Sequence, residues 1–324
     1  MKVDMSKTEK FAIGVDLGGT NIKVGIVSQK GKIIKKTSLK TEAEGGPQKV
    51  ISQMSKGIKE LLNKNKLKIK GIGIGSPGIV SIKKGTVENP PNLPGWGKVK
   101  LAKLIEKKFN FPVYIENDAN VAAIGEMILG AGKKYSEFIM ITLGTGVGGG
   151  IIMNKKIFRG ENGVAGEVGH TTIDYKGEQC KCGSIGCIET FVGNNYLIKR
   201  VEKELHSHKD SVIWKLIDND FNNLNPKLIH AAAEENDEYA KSFIIEMGTQ
   251  LGAALASVSN LLDISTFIIG GGVAGFGASL FDSTQQSLHA RVLKTLKDRV
   301  KVIPAKLKND AGIQGASSLV FYKS

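Results

Sequence analysis

Cys180, Cys182 and Cys187 are the only cysteines of a 324-residue chain, and they fall within eight positions. His170 lies ten residues upstream of the first, and Glu189 two residues beyond the last. A disulfide suits this group poorly. Cys180 and Cys182 are too close in sequence for ordinary bridge geometry, and any pairing leaves one thiol over. A redox pair would more naturally be C-x-x-C at a helix start, which is absent here. A four-coordinate Cys3His zinc site fits the donor chemistry, because zinc takes tetrahedral thiolate and imidazole ligands. Gly183 and Gly186 would let so short a segment wrap round an ion. The spacing H-x9-C-x-C-x4-C is not a common finger pattern, however, and reduced thiols in a loop stay open as the alternative.

A second chemistry is written in glycine. Residues 11–27, FAIGVDLGGTNIKVGIV, place apolar runs on both sides of Gly18-Gly19 and read as a β-hairpin. Residues 138–153, FIMITLGTGVGGGIIM, repeat the plan around Gly144-Thr145-Gly146, with Leu143-Gly144 aligned on Leu17-Gly18 and Thr142 on Asp16. Two such hairpins could grip a polyphosphate, since glycine lets backbone N–H groups approach an anion closely. Gly144, Gly146 and Gly149 also match G-x-G-x-x-G. A strand-like GGGIIM follows instead of a helix, which rejects dinucleotide binding, and no Walker A sequence occurs.

A third candidate is Asp118. The strand PVYIEN (112–117) runs into ANVAAIGEMIL, a helical stretch closed by Gly130, so Asp118 sits at a strand-to-helix junction. The helix dipole keeps a carboxylate there ionised and able to take a proton. A plain N-cap role is the alternative for an aspartate so placed.

The elements that must position these residues alternate between helix and strand. A helix is expected over about 47–64, a strand over 71–80, a proline-rich loop over 88–96 and a helix over about 99–108. After the cysteines the chain reads as mainly helical to about 260. A strand ending in Gly270-Gly271-Gly272, a late strand VKVIPA and a terminal helix from near Gly312 complete it. This is an α/β pattern with glycine-rich turns at strand ends, where such sheets bind ligands. With 41% hydrophobic and 23% charged residues the chain reads as soluble and two-domain. It lacks the apolar run of about eighteen residues that a membrane span needs. Its charged start lacks a signal-peptide core, and with reduced thiols this points to the cytoplasm. The net charge of +14 comes from scattered lysines that rarely alternate with aromatics. The expectation is therefore a lysine-rich solvated surface, with neither nucleic acid nor membrane as partner.

Taken together, DLGGTN (16–21), ENDAN (116–120), TLGTGVGGG (142–150), GEVGH (166–170), CKCGSIGCIE (180–189) and IIGGGV (268–273) resemble the ROK family of repressors, open reading frames and sugar kinases, in the family's order and over nearly the whole chain. The resemblance implies an actin-like ATPase fold, with two ribonuclease H-like α/β domains and the active site in the interdomain cleft. The smaller domain would comprise residues 1–118 plus about 308–324, and the larger 119–307. It also implies structural zinc on His170, Cys180, Cys182 and Cys187, and Asp118 as the base of an ATP-dependent hexose kinase, most like bacterial glucokinases. Gly78, Asn89, Asn117, Glu167, His170 and Glu189 would bind the sugar along with Asp118. Gly18, Gly19, Thr20, Asn21, Lys23, Gly144, Thr145 and Gly146 would hold ATP phosphates, Asp16 would act through Mg2+, and Gly270, Gly271 and Gly272 would admit adenosine. Kinases for N-acetylmannosamine and N-acetylglucosamine share most of these motifs. The family's repressors carry a DNA-binding segment ahead of the first hairpin. The fifteen residues before Asp16 are too few for a helix-turn-helix, which argues for a kinase over a sugar sensor. Members are often dimers or tetramers, so a homo-oligomer is expected.

Overall fold

The structure is a computed structural model and describes residues 9–63 and 67–322. Phe11–Leu17 (β1) is buried along its length apart from Asp16, as befits a central strand covered on both faces. It turns at Gly18-Gly19 into antiparallel Asn21–Ser28 (β2), which pairs with Ile33–Lys40 (β3). The edge strand β3 exposes Lys35, Lys36 and Lys40, charges that discourage pairing with another chain. Helix Gly46–Leu62 (α1) follows. Its buried Val50, Met54, Ile58 and Leu61 make one apolar stripe at helical spacing. The expected end of this helix at residue 64 lies outside the described residues.

Strand Ile69–Ser76 (β4) lies parallel to β1. The single strand expected over 71–80 is broken, because Pro77 lacks an N–H and Gly78 has φ +85. The chain resumes as Ile79–Ser81 (β5), which with Thr86–Glu88 (β6) and Lys98–Val99 (β7) makes a small antiparallel sheet. Helix Leu101–Phe109 (α2) leads to Val113–Asn117 (β8), parallel to β4, and then to helix Asp118–Ile128 (α3). The first sheet is thus ordered β3-β2-β1-β4-β8.

The second sheet repeats that order. Phe138–Leu143 (β9), Val147–Met153 (β10) and Lys156–Phe158 (β11) are followed by helices Ile188–Val192 (α4), Asn194–Leu205 (α5), Ile213–Leu216 (α6), Pro226–Glu234 (α7) and Glu238–Leu262 (α8). Then come Thr266–Gly270 (β12), helix Ala278–Arg291 (α9), Lys301–Pro304 (β13) and helix Ala311–Leu319 (α10). The order is β11-β10-β9-β12-β13, third-second-first-fourth-fifth as before. The likeness of the two glycine hairpins therefore extends to whole sheets. No helix among the described residues is long and apolar enough to cross a membrane.

Packing divides the described chain into two compact units. One holds the residues up to Ser136, Gly150–Ala165 and those from Leu307 on; the other holds Glu137–Gly149 and Gly166–Lys306. This grouping differs from the expected division at residue 118, because α3 stays with the first sheet. A Cβ on Gly125 of α3 would come within 3.0 Å of the Gly315 Cα of α10. Fully buried Glu126 accepts hydrogen bonds from the backbone N–H of Ala131 (2.6 Å) and Leu307 (2.8 Å).

Helix α10 sits directly on the first sheet through glycine. A Cβ at Gly73 would lie 1.7 Å from the carbonyl oxygen of Ala316, and one at Gly14 2.0 Å from that of Ile313. Helix backbone cannot yield as a flexible side chain does. Gly73→Ala is therefore expected to cost about 2–3 kcal/mol of stability, the scale of an overpacked core. A lowered urea midpoint at unchanged slope measures it, and a wild-type midpoint would show that α10 is not seated this closely.

Candidate active site

In the first unit, the β1–β2 turn is held from behind. Gly18 N–H donates to the Asn21 carbonyl at 3.1 Å, and buried Thr41 donates its hydroxyl to the Gly18 carbonyl at 2.7 Å. Thr20 and Asn21 are exposed at the tip. Asp16, at the end of β1, lies 3.6 Å from Lys23 Nζ and against the first turn of α10, where a Cβ on Gly312 would meet its carboxylate at 2.5 Å. Burial pushes the Asp16 carboxyl above the usual carboxylate range, and Lys23 pulls it part of the way back. A carboxylate short of its own hydration suits a divalent cation, whose charge repays that loss. Lys23 thus faces Asp16, and its side chain is 42% exposed.

The β8–α3 junction separates two roles that the sequence left joined. The N-cap of α3 is Asn117, whose Oδ1 accepts from Ala119 N–H at 3.0 Å and Asn120 N–H at 3.3 Å. Asp118 is the exposed first residue of the helix, with Oδ1 2.8 Å from Ala119 N. Asn117 Nδ2 donates to the Gly78 carbonyl at 3.4 Å, so capping and this bond leave one Nδ2 hydrogen for another acceptor. Gly78 lies against the proline-rich loop: a Cβ there would be 2.7 Å from Pro90 Cα. Neighbouring Asn89 is in the left-handed region at φ 43. Gly78, Asn89 and Asn117 are therefore brought together.

Sequence reasoning missed what fixes this junction. Buried Glu116 accepts Asn117 N–H (2.9 Å) and Asn120 Nδ2 (3.1 Å) on one oxygen, and both Nε and Nη2 of Arg159, each at 2.9 Å, on the other. A fork of this kind on a buried carboxylate is a strong, directional contact. Glu116 sits inside ENDAN, but nothing local signals a partner forty-three positions away.

In the second unit, the β9–β10 turn closes with Gly144 N–H donating to the Gly146 carbonyl at 2.9 Å. A Cβ on Gly144 would meet nothing within 4 Å. The Gly270–Gly272 loop adjoins this turn: Gly271, at φ +94, lies so close to the Leu143 carbonyl oxygen that a Cβ would be 2.2 Å from it. Gly272 faces open space. Glu189, expected among sugar ligands, accepts the Val147 N–H on Oε2 at 2.8 Å. Glu167 is exposed, with Oε2 3.9 Å from His170 Nε2.

The donor atoms of His170, Cys180, Cys182 and Cys187 all lie within 4.8 Å of one another. Cys180 Sγ is 3.8 Å from His170 Nδ1, and Cys182 Sγ 3.6 Å from Cys187 Sγ. A tetrahedron with Zn–S bonds of about 2.3 Å has S–S edges of about 3.7 Å, so this set fits zinc. Burial pushes the Cys187 thiol up to about 12, with the neighbouring thiols adding to it. At Cys182 burial also pushes upward, but hydrogen bonds from the Ser184 backbone and the other two cysteines outweigh it and hold the thiol below its ordinary value. Nδ1 faces the sulfurs while Nε2 faces Glu167, so one imidazole can serve a metal and a polar ligand together.

Residues 12–323 match the ROK family. The glucokinase of Halalkalibacterium halodurans is 35% identical over 97% of this chain and 96% of its own length. A xylose repressor of Caldicellulosiruptor bescii is 32% identical over 98% of this chain, which spans 80% of the repressor. The crystal structure of a ROK family glucokinase from Streptomyces griseus in complex with glucose and AMPPNP is similar at a TM-score of 0.85 and 33% identity, covering 95% of this chain and 98% of that one. Two five-stranded sheets of like strand order, with glycine turns at the strand ends, define the fold as the actin-like ATPase fold. The chain belongs to the ROK family.

Proposed function

We propose that this chain is an ATP-dependent sugar kinase that transfers the γ-phosphoryl group of ATP to the C6 hydroxyl of glucose, with Asp118 as general base. The observation that carries this is the β8–α3 junction: Asn117 does the capping, and the carboxylate of Asp118 is exposed at the helix start. Phosphoryl transfer asks little covalent chemistry of a protein; it needs an oriented hydroxyl, a base and neutralised phosphate charge. Asp118 takes the hydroxyl proton as the sugar oxygen bonds to the γ-phosphorus, and the bond to the bridging oxygen breaks to release ADP. Glu167, His170, Glu189, Asn117, Asn89 and the Gly78 carbonyl orient the sugar. The turns at Gly18–Asn21 and Gly144–Gly146 hold phosphates, with Lys23 and Asp16 beside the first. Asp16 would hold Mg2+, which would supply charge neutralisation at the phosphates. Gly270–Gly272 admits adenosine. His170, Cys180, Cys182 and Cys187 would hold zinc with four protein donors, which would make its role structural. The relatives that support this reading include the Halalkalibacterium glucokinase and the Streptomyces griseus enzyme. A cytoplasmic homo-oligomer acting in glycolysis accords with it.

The xylose repressors among the relatives support a second reading, a sugar sensor that binds without turnover. Coupled ADP release with MgATP against glucose, N-acetylmannosamine, N-acetylglucosamine, allose and fructose separates the two. The expected result is a kcat/KM for glucose well above the others. Preference for an acetamido sugar would keep the mechanism and change the substrate. Sugar binding by zinc-replete protein with no turnover on any member of the panel would establish the sensor.

A further inference from the structure

The nine residues from Cys187 to Asn195 run from the metal cluster to the β9–β10 turn and touch that turn at four consecutive residues. Glu189, two positions beyond the ligand Cys187, accepts the Val147 N–H at 2.8 Å. Its Oε2 fills the space beside Gly146, where a Cβ would be 2.2 Å away. Gly193 packs against the Gly146 Cα, Asn194 N–H donates to the Gly144 carbonyl at 3.0 Å, and Asn195 N–H to that of Thr145 at 3.4 Å. A second tie returns to the metal loop from α5. Buried Tyr196 accepts, on its hydroxyl, the N–H of Lys181, which stands between Cys180 and Cys182.

We propose that Glu189 is a positioning residue for the Gly144–Val147 turn, and that with Tyr196 it makes the shape of that turn depend on the metal loop. This rests on the reading of that turn as a phosphate cradle. The backbone amides of a glycine turn bind an anion only while they converge, and glycine by itself leaves many backbone conformations open. Here the bond within the turn from Gly144 N–H to the Gly146 carbonyl is joined by one carboxylate and the start of α5. The side chain two positions beyond Cys187 is then tied to the turn.

The test is binding of a fluorescent MgADP analogue without sugar, so that turnover and sugar affinity do not enter. Loss of a hydrogen bond to a charged group is worth about tenfold or more in affinity. Glu189→Ala, at one zinc per chain, is expected to raise the nucleotide Kd about tenfold. Glu189→Gln keeps an acceptor oxygen and should recover most of that loss. Zinc-stripped wild type, which requires no substitution, should likewise bind the nucleotide several-fold more weakly and recover when zinc is restored. Gly144→Val puts a side chain into open space at the cradle and should abolish binding. If Gly144→Val weakens nucleotide binding while Glu189→Ala and zinc removal leave Kd within twofold of wild type, the inference falls and the cradle stands. If Gly144→Val binds nucleotide normally, the cradle reading falls and the inference with it.

Discussion

Asp118→Asn is expected to lower kcat by about 10²–10⁴-fold, the usual worth of a positioned general base, while glucose Kd changes only a few-fold. The asymmetry follows from what the amide keeps and loses. Asparagine has nearly the same shape and still accepts a hydrogen bond from the sugar hydroxyl, but it cannot take the proton as the oxygen attacks phosphorus. The helix is also spared. Its N-terminal amides at Ala119 and Asn120 are bound by Asn117 Oδ1, so α3 keeps its cap when Asp118 changes. Glucose binding by calorimetry and turnover by ADP release, measured on one preparation, read the split. Turnover comparable to wild type would remove Asp118 from the mechanism. Equal loss of binding and turnover would make it a sugar ligand only.

The placing of the cap at Asn117 rather than Asp118 marks where the sequence stopped being informative. Asn and Asp are equally good N-caps, so IENDAN could place the cap at either residue, and only backbone geometry assigns it to Asn117. The hairpins were legible because apolar runs broken by glycine leave few alternatives, and their shared plan anticipated the common strand order of the two sheets. The grouping of the cysteine loop was legible: three thiols and an imidazole lie within eighteen positions, and their donor atoms come within 4.8 Å of one another. Contacts made across long stretches of chain were not. Glu116 meets Arg159 forty-three positions on, and Glu189 meets Val147 forty-two positions back. The packing division departs from the one expected at residue 118 for the same reason. The packing of Gly125 on Gly315 that keeps α3 with the first sheet leaves no trace in local pattern.

Cys182→Ser is the second large effect, and its argument runs through His170. Serine offers a neutral hydroxyl where the cluster has a thiol held below its ordinary pKa, so the site loses one of four donors and the negative charge a bound thiolate would bring. Zinc is expected to fall from one per chain to well below that after dialysis. Without the ion, nothing of comparable strength fixes the imidazole, whose Nδ1 faces Cys180 while Nε2 points toward Glu167. A sugar hydrogen bond made by Nε2 then carries the cost of ordering the ring, and glucose Kd should rise about tenfold or more. Metal content by a colorimetric chelator and glucose affinity by calorimetry check the two steps separately. Zinc lost with glucose affinity unchanged would show that the metal does not organise the sugar site. Zinc retained would show that His170, Cys180 and Cys187 suffice to hold it.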